Sequence, residues 1–384
     1  MKFLRDFNFK NKRVLVRVDF NVSLKSGQIF NDFRIKATLP TIKYLVEKKA
    51  KVILLSHFGR PDNSEKYHSL KIVSKRLSFL LNQEIGFLDK CFGAEVKRKI
   101  EQIKPGNIVL LENLRFYKEE EKNDTVFAKQ IADLGEIYVN DAFGVIHRSH
   151  ASIVGLPKYL PCCAGLLLEK EIKNLSNVLD KSRHPLLVII GGAKISTKIK
   201  LIKKFLQEAD NLILGGALAN TVISAKGFAI GRSIIEEKMI DEVKKLKLTN
   251  TKLHIPVDVV VSSSPCGKKS TRVAPIGNTK ENEMILDIGP DTIQLFQKII
   301  NQSKTIIWNG PMGLFEIEKF SLGSKNIAMA VANSSAFSVV GGGDTITLLQ
   351  SVNLLKNISH ISTGGGAMLK FLAGEKLPGI EALN

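Results

Sequence analysis

The stretch Lys51-Val-Ile-Leu-Leu-Ser56 shows the unit from which this chain is built. Its apolar residues are continuous rather than alternating, which predicts a short strand buried on both faces of a sheet. The polar turn His57-Phe-Gly-Arg60-Pro61 follows, and residues 69–82 then have the apolar periodicity of an amphipathic helix. A buried strand followed by a helix is the repeating unit of α/β proteins with parallel sheets.

The same alternation continues through the first half of the chain. Pro40 is compatible with a helix there because it falls in the first turn of its segment. The predicted strands are 14–18, 51–56, 85–88, 107–111 and 136–140, and the predicted helices are 36–49, 69–82, 94–103 and 124–134. These segments predict an open, doubly wound parallel sheet over residues 1–164.

Short apolar segments recur in the second half, and several end in glycine. The predicted strands there are 186–190, 212–214, 254–261, 305–308, 337–340 and 360–362. Between the halves, the pattern Glu169-Lys-Glu-Ile-Lys-Asn-Leu is typical of a connecting helix. The sequence therefore predicts two Rossmann-like, doubly wound parallel-sheet domains, over 1–164 and 181–374, joined by a hinge helix over 165–180.

Length and charge limit the possible functions. The chain has 384 residues and a formal net charge of +19, from 56 Lys and Arg against 37 Asp and Glu. The length suits two domains of roughly 150–200 residues. Most of the positive charge is Lys spread over amphipathic segments, such as 70–76 and 238–247. That distribution indicates a solvated surface rather than a clustered nucleic-acid-binding element, so no nucleic-acid partner is expected.

The compartment is predicted from what the sequence lacks. Its 4 Cys, including the adjacent pair Cys162-Cys163, form no CxxC motif, which favours reduced thiols. The N-terminal residues contain no apolar stretch long enough for a signal peptide. No uncharged apolar run reaches the ~18 residues of a membrane span. We therefore expect a cytoplasmic protein with no membrane partner.

Polar and basic side chains follow the predicted strands of the first half. The carboxyl ends of parallel strands meet at one edge of a sheet, where ligands bind. Arg suits phosphate because its planar guanidinium donates paired, charge-assisted hydrogen bonds. The residues expected at this edge are Asp19, Asn21, Arg34, His57, Arg60, Arg115 and Arg148. They predict a pocket for a small polyanion, whereas the nearby pair His147 and His150 lacks a third ligand for a metal.

Glycines follow the predicted strands of the second half. Glycine lets backbone N–H groups approach a phosphate, and the N terminus of the next helix favours its negative charge. The strongest cases are Gly191-Gly-Ala-Lys194 and Gly341-Gly-Gly-Asp-Thr345. Lys198 lies one helical turn after Lys194, and Asp344 supplies a carboxylate suited to Mg²⁺. These residues predict a nucleotide pocket that accepts Mg²⁺.

Motifs of several other nucleotide-binding proteins are missing from the sequence. The chain has neither GxxxxGK[ST] nor GxGxxG. The two predicted pockets together favour phosphoryl transfer between a nucleotide and a small acidic metabolite. Two alternatives are a basic nucleic-acid-binding protein and another enzyme on a doubly wound fold, such as a dehydrogenase.

Ten sequence blocks, in one order along nearly the whole chain, closely resemble the phosphoglycerate kinase family. The blocks are Arg17-Val-Asp-Phe-Asn-Val22, Ser56-His-Phe-Gly-Arg-Pro61, Leu111-Glu-Asn-Leu-Arg-Phe116, Val139-Asn-Asp-Ala-Phe-Gly144, His147-Arg-Ser-His-Ala151, Gly191-Gly-Ala-Lys194, Asp287-Ile-Gly-Pro290, Trp308-Asn-Gly-Pro-Met-Gly313, Gly341-Gly-Gly-Asp-Thr345 and Ser362-Thr-Gly-Gly-Gly366. The resemblance implies a monomeric glycolytic enzyme with two lobes that close about a hinge. It implies reversible, Mg²⁺-dependent phosphoryl transfer from 1,3-bisphosphoglycerate to ADP, giving 3-phosphoglycerate and ATP.

The resemblance also implies roles for individual residues. The seven residues of the predicted anion pocket would bind 3-phosphoglycerate. The nucleotide would bind at Lys194, Lys198, Asn309, Glu316, Gly341, Gly342, Gly343, Asp344 and Thr345. Among these, Glu316 would receive the ribose hydroxyls and Asp344 would orient the magnesium ion. Arg34, Lys194 and the backbone at Gly342 would act on the transferring phosphoryl group, and residues 375–384 would return to the first domain.

Four positions depart from the family pattern. Ser23 stands where Pro is usual, and Thr197 stands where Asp is common. Met368 and Lys370 stand where Ser and Glu are usual. None of the four is assigned to chemistry, and we expect Met368 to remove a minor polar contact near a glycine-rich turn.

Overall fold

The chain divides into two compact units. The structure is a computed structural model that describes residues 1–61 and 68–384. One unit contains Met1–Lys173 together with Gly374–Asn384, and the other contains Asn174–Ala373. In the described residues, no helix is both long and apolar enough to cross a membrane.

A six-stranded parallel sheet forms the centre of the first unit. The strands of this unit are β1 (Arg13–Val18), β2 (Ser23–Lys25), β3 (Gln28–Asn31), β4 (Lys51–Leu55), β5 (Ile85–Leu88), β6 (Ile108–Leu111), β7 (Ile137–Asp141) and β8 (Cys162–Ala164). The sheet order is β5-β6-β4-β1-β7-β8, and β2 and β3 form a separate antiparallel hairpin. The chain moves from β1 to one side and returns at β7 on the other side, so ligands are expected near this junction.

Helices cover this sheet as the apolar periodicity predicts. They are α1 (Phe33–Glu47), α2 (Lys71–Leu81), α3 (Ala94–Glu101), α4 (Lys118–Glu121) and α5 (Thr125–Ala132). The position predicted for Pro40 is wrong: α1 begins three residues earlier than expected, so Pro40 lies in the helix interior. There its missing N–H costs α1 one hydrogen bond.

Helix α6 (Leu166–Asp180) spans the division between the units. Its first N–H groups bond to side chains of the first unit, because Leu166 N donates to Thr41 Oγ1 at 2.9 Å and Leu168 N to Asp141 Oδ1 at 3.1 Å. Burial raises the pKa of the Asp141 carboxyl to about 7, although the hydrogen bond from Leu168 acts to lower it. The start of α6 is thus fixed to the end of β7 by local capping.

The second unit contains a six-stranded parallel sheet and a smaller antiparallel sheet. Its strands are β9 (Leu186–Ile190), β10 (Asn211–Leu214), β11 (Leu253–His254), β12 (Asp258–Ser262), β13 (Thr271–Pro275), β14 (Met284–Ile288), β15 (Thr305–Asn309), β16 (Phe337–Gly341) and β17 (His360–Ser362). The parallel order is β11-β10-β9-β15-β16-β17, and the antiparallel order is β13-β12-β14. The strand order reverses between β9 and β15, which marks the expected ligand position.

The predicted strand over 254–261 is wrong as a single element. The chain ends β11 at His254 and starts β12 at Asp258, in the other sheet. Pro256 lies between them and cannot donate to a strand ladder, which explains the interruption. The antiparallel sheet itself has no counterpart in the sequence prediction.

Seven helices follow in the second unit, and one short helix lies in the returning tail of the first unit. They are α7 (Ile199–Glu208), α8 (Gly216–Ala225), α9 (Ile240–Lys244), α10 (Pro290–Gln302), α11 (Leu322–Asn333), α12 (Gly343–Ser351), α13 (Gly365–Leu372) and α14 (Pro378–Glu381). In α14, Gly379 N donates to Ile146 O at 2.9 Å. A Cβ at Gly379 would lie 2.5 Å from Ile146 Cδ1, so the tail packs closely on its own unit.

Candidate active site

In the first unit, the loop after β1 holds the Arg34 guanidinium. Arg34 lies in the first turn of α1, and its Nη1 donates to Asn21 O at 2.9 Å. The buried Asp19 carboxylate lies 3.2 Å from the same Nη1. Asp19 therefore orients a cation that is still partly exposed to solvent.

The loops after β1, β4 and β6 are joined through Gly59. Gly59 N donates to Asn21 Oδ1 at 2.8 Å, and Gly59 O accepts from Arg115 Nη1 at 2.6 Å. Gly59 has φ +63° and lies against His68, which leaves no room for a side chain. Two residues predicted for one pocket, Asn21 and Arg115, are thus joined through Gly59, whereas Arg60, next in the chain, is exposed.

Several guanidinium groups repel one another around Arg115. Burial is the largest cause that lowers the pKa of Arg115, and the charge of Glu121 opposes it. Arg17, Arg148 and Arg60 then lower the pKa further. In the part of the chain that the structure describes, Arg148 Nε is buried without a hydrogen-bond partner. Arg115 Nε likewise has no hydrogen-bond partner among the described residues. Such a concentration of cations, with two unsatisfied donors, suits a polyanionic ligand.

His57 is buried in this cluster and is held in one tautomer. Burial lowers the pKa of His57 well below its usual value, and the charges of Arg17, Arg115 and Arg34 lower it further. Arg17 Nη2 lies 3.2 Å from His57 Nδ1. Because a guanidinium can only donate, Nδ1 accepts and the neutral ring carries its proton on Nε2. His57 can thus donate one hydrogen bond without adding a charge.

Arg17 is a site residue that the sequence interpretation missed. It is fully buried, donates from Nε to Ser152 Oγ at 2.8 Å, and also bonds from Nη1 to Val18 O. Ser152 Oγ in turn donates to Glu120 Oε1 at 2.5 Å. The available signal was a charged residue within the apolar run 14–18, since such a residue is rarely buried unless it is bonded.

In the second unit, a cavity of about 420 Å³ lies near the carboxyl ends of β9, β10 and β15. Its lining includes Gly192, Gly216, Asn220, Ile234, Met284, Leu286, Pro311, Met312, Leu314, Glu316 and Asp344. The lining is mostly apolar, with carboxylates at Glu316 and Asp344, both exposed to solvent, and at the buried Asp287. An apolar cavity with a few polar groups suits a flat organic ring with polar substituents.

Backbone groups of three loops meet at the wall of this cavity. Gly192 N donates to Pro311 O, and Gly216 N donates to Met312 O, both at 2.9 Å. Gly216 has φ +67°, and a Cβ there would lie 2.6 Å from Gly192 N. Only glycine allows this approach, which brings the loop after β9 against that after β10.

The loops after β15 and β16 are joined at the start of α12. Asn309 Nδ2 donates to Gly341 O, and Gly310 N donates to Thr345 Oγ1, each at 2.8 Å. Gly342 has φ +104° and provides no side-chain cap for α12. The first N–H groups of α12 are therefore free of a side-chain cap and suited to an anion.

Lys198 and Asp344 lie close together, beside the glycine loop. Lys198 Nζ donates to Gly191 O, and burial lowers the pKa of Lys198 to about 8 while Asp344 raises it. Lys194 is exposed. One carboxylate beside an anion-binding helix end fits Mg²⁺, which takes one or two carboxylates together with phosphate oxygens and water. Among the described residues, no group of three or more His, Cys, Asp or Glu could hold a metal.

The structure shows the surroundings of three of the four residues that depart from the family pattern. Met368 is buried, and its Sδ lies 2.6 Å from where a Cβ of Gly341 would be, so it packs on the end of β16. Thr197 Oγ1 donates to Lys194 O at 3.0 Å. Ser23 is exposed in β2, and nothing in the structure explains Lys370.

The fold and the two sites define a class of protein. One unit concentrates guanidinium groups for a small polyanion, and the other combines a nucleotide-sized cavity with a phosphate-binding helix end. This is the organisation of a two-domain phosphotransferase that uses a nucleotide.

Comparison with known proteins identifies the family. The family model described as phosphoglycerate kinase matches residues 4–375. The phosphoglycerate kinase of Dictyoglomus turgidum is 47% identical over 385 residues, covering 99% of this chain and 97% of the relative. That of Aquifex aeolicus is 46% identical over 386 residues, covering 98% and 96%.

Two solved phosphoglycerate kinase structures also match this chain over its full length. The phosphoglycerate kinase structure from Coxiella burnetii matches with a TM-score of 0.86 at 42% identity, covering 100% of this chain and 98% of that one. The structure from Pyrococcus horikoshii has a TM-score of 0.89 at 38% identity, with the same coverage. The chain belongs to the phosphoglycerate kinase family.

Family membership confirms three predictions from the sequence. The resemblance, the pair of parallel-sheet α/β domains and the activity all agree with it. The chain is a glycolytic kinase that transfers a phosphoryl group reversibly between 1,3-bisphosphoglycerate and ADP.

Proposed function

We propose that the two units divide the substrates between them. The arginine cluster of the first unit binds 3-phosphoglycerate or 1,3-bisphosphoglycerate, and the cavity of the second binds ADP or ATP. The observation that carries this assignment is the concentration of Arg17, Arg60 and Arg148 around the half-buried Arg115, with the buried Nε of Arg148 lacking a hydrogen-bond partner among the described residues. Glu121 offsets part of this positive charge, and an anionic ligand would compensate the rest.

In the first unit, each polar group has a separate task. Asp19 and Asn21 fix Arg34 and the Gly59 loop, so the guanidinium groups are oriented before substrate arrives. His57 donates from Nε2 to a substrate oxygen as a neutral group. Arg60, Arg115 and Arg148 supply charge-assisted hydrogen bonds to phosphate and carboxylate oxygens.

In the second unit, the nucleotide is bound through its ring, ribose and phosphates. The base occupies the apolar part of the cavity, and Glu316 accepts from the ribose hydroxyls. Lys194, Lys198 and the N–H groups at Gly341, Gly342, Gly343 and Thr345 bind phosphate oxygens, while Asn309 fixes Gly341. Asp344 would hold Mg²⁺, which neutralises phosphate charge when bound.

Phosphoryl transfer then requires alignment and charge neutralisation. In the direction that consumes ATP, the nucleophile is the carboxylate of 3-phosphoglycerate. It is ionised at pH 7 because carboxyl pKa values are about 4, so no general base is needed. Arg34 and Lys194 neutralise the transferring phosphoryl group, together with the backbone at Gly342.

Because the substrates are held by different units, transfer requires closure about the α6 helix when both are bound. We assign the enzyme to the cytoplasm as a monomer whose partners are these small molecules, with no nucleic-acid or membrane partner. Small-angle scattering should show compaction only with both substrates present. Unchanged scattering would contradict closure.

The assignment is tested by a coupled assay of ADP formation that depends on 3-phosphoglycerate and Mg²⁺. Lys194→Ala should lower kcat by about 10²–10³. Lys200→Ala, on the same segment and also exposed, should retain turnover. Equal activity of the two variants would contradict the role of Lys194. Salt-sensitive nucleic-acid binding without turnover would instead support the basic-protein alternative.

A further inference from the structure

The carboxylate of Glu236 holds the loop that carries Lys194 and Lys198. Ser196 N donates to Glu236 Oε2 at 2.9 Å, and Ser196 Oγ donates to Glu236 Oε1 at 2.6 Å. The backbone N–H of Ile195 donates to the same carboxylate. Both oxygens of Glu236 are therefore used to bind two consecutive residues that directly follow Lys194.

The other side of Glu236 is fixed to the wall of the nucleotide cavity. Glu236 N donates to Thr221 Oγ1 at 3.2 Å, and Thr221 is buried on α8. Two residues earlier, Ile234 lines the cavity, and its carbonyl accepts from Asn220 Nδ2 at 3.3 Å. The lysine loop is thus connected through Glu236 to the helix that begins at the cavity.

Other hydrogen bonds of residues 194–198 include bonds within this segment and one that reaches back to Gly191, whose carbonyl accepts from Lys198 Nζ. Lys198 N donates to Ile195 O at 2.8 Å, and Thr197 Oγ1 donates to Lys194 O at 3.0 Å. These bonds shape the turn, and on the N-terminal side of Lys194 the backbone of Gly192 is tied to α8, because Leu218 N donates to Gly192 O at 2.9 Å. The contacts of Glu236 with Ser196 and Ile195 add a connection to α8 on the C-terminal side of Lys194, through the bond from Glu236 N to Thr221.

The charge of Glu236 suits this task. Burial raises its pKa, but the hydrogen bonds from Ser196 and Ile195 and the charge of Lys194 lower the pKa overall. The side chain is therefore an anion at neutral pH and accepts all three bonds. Lys194 is close enough for its positive charge to lower the pKa of Glu236, so the two side chains attract each other.

We propose that Glu236 is a positioning residue, which orients the loop of residues 194–198 so that Lys194 reaches the transferring phosphoryl group. The inference rests on the role proposed above for Lys194. Neither the motifs of the sequence nor the residues assigned from them include Glu236. Its action is indirect, since it bonds to backbone and hydroxyl groups beside the lysine rather than to substrate.

The experiment compares Glu236→Ala with Glu237→Ala, whose side chain is exposed in the next position. Glu236→Ala should lower kcat about tenfold or more and raise KM for ATP, with KM for 3-phosphoglycerate within about twofold. Glu236→Gln, which keeps one acceptor oxygen, should lie between wild type and Glu236→Ala. Glu237→Ala should match wild type.

A double-mutant cycle with Ser196→Ala separates positioning from general stability. If the bond between the two side chains transmits the effect, adding Ser196→Ala to Glu236→Ala should cost much less kcat than Ser196→Ala alone. Additive losses would overturn the proposal. So would a Glu236→Ala variant that matches Glu237→Ala, or one whose KM for both substrates rises alike. If Glu236→Ala does not fold, Ser196→Ala alone should still raise KM for ATP selectively, and its failure to do so overturns the proposal.

Lys194→Ala, measured in parallel, distinguishes the two possible failures. A large loss in Lys194→Ala with none in Glu236→Ala overturns the positioning role and leaves the proposed function intact. No loss in Lys194→Ala overturns the role of the lysine and the positioning role with it.

Discussion

Replacing Gly216 by Ala tests whether the close approach of backbones shapes the nucleotide cavity. The new Cβ would lie 2.6 Å from Gly192 N, 2.8 Å from Gly192 O and 2.9 Å from Pro311 O. All three are backbone atoms, so no flexible side chain can move aside. The residue also has φ +67°, where an L side chain is strained.

The expected magnitude follows from these two costs. A left-handed conformation costs roughly 1 kcal/mol for Ala, and overpacking against fixed atoms adds roughly 1–3 kcal/mol. Gly216→Ala should thus lower the free energy of unfolding of the second unit by about 2–4 kcal/mol. Gly227 provides the matched control, because it has φ +85° but nothing within 4 Å of its Cβ position. Gly227→Ala should cost about 1 kcal/mol.

The assay can be confined to the second unit. Trp308 is the single tryptophan of the chain and is fully buried in the core of that unit. Its fluorescence during urea unfolding therefore reports on this unit alone, and calorimetry measures ADP binding on the same samples. Gly216→Ala should weaken ADP binding about tenfold or more, while Gly227→Ala leaves it unchanged. Equal effects of the two substitutions on stability and affinity would refute the reasoning.

Three further predictions use other parts of the molecule. Arg34→Ala should lower kcat by about 10²–10³ and leave the calorimetric Kd for ADP within about twofold. An equal loss of kcat and of ADP affinity would contradict the role of Arg34 in transfer. Asp287 has its pKa raised to about 7, chiefly by burial, so the folded second unit keeps a proton that the unfolded chain loses above about pH 4. The free energy of unfolding of the second unit should therefore fall as pH rises from about 4 to 7, by at most about 1.4 kcal/mol per pH unit. Asp287→Asn should reduce this dependence on pH, measured by Trp308 fluorescence during unfolding. An unchanged slope would argue against that titration. Ser152→Ala removes the hydroxyl that bonds to both Arg17 Nε and Glu120 Oε1. It should cost about 3 kcal/mol in the first unit, measured by hydrogen exchange, and weaken 3-phosphoglycerate binding but not ADP binding. Unaltered exchange would mean that the buried charges do not depend on Ser152.

The parallel sheets could be predicted because their strands are buried on both faces. Runs such as 52–55 and 186–190 are continuously apolar, and β5 and β9 have the predicted bounds. The antiparallel sheet could not be predicted in this way. Its strand β13 is mostly exposed, with only Ala274 buried, so it has no apolar run.

The candidate site was predictable only where a residue follows a strand. Asn21 and Arg115 were suggested by such positions, and the structure joins both to Gly59 by hydrogen bonds. Arg17 lies inside a strand, and Glu236 meets Ser196 across 40 residues of sequence. Contacts of that kind depend on how loops distant in sequence pack together, and no local sequence pattern predicts that packing.

The returning tail has a consequence for the order in which the units are completed during synthesis. The second unit, Asn174–Ala373, is one continuous segment, whereas the first also needs Gly374–Asn384. On the ribosome, the strands of the first unit emerge first, but Ile146 and Ile153 stay uncovered until Gly379 arrives. The second unit can thus be complete while the first still exposes apolar surface. Residues 374–384, which are synthesised after the second unit, complete the unit whose strands were synthesised first.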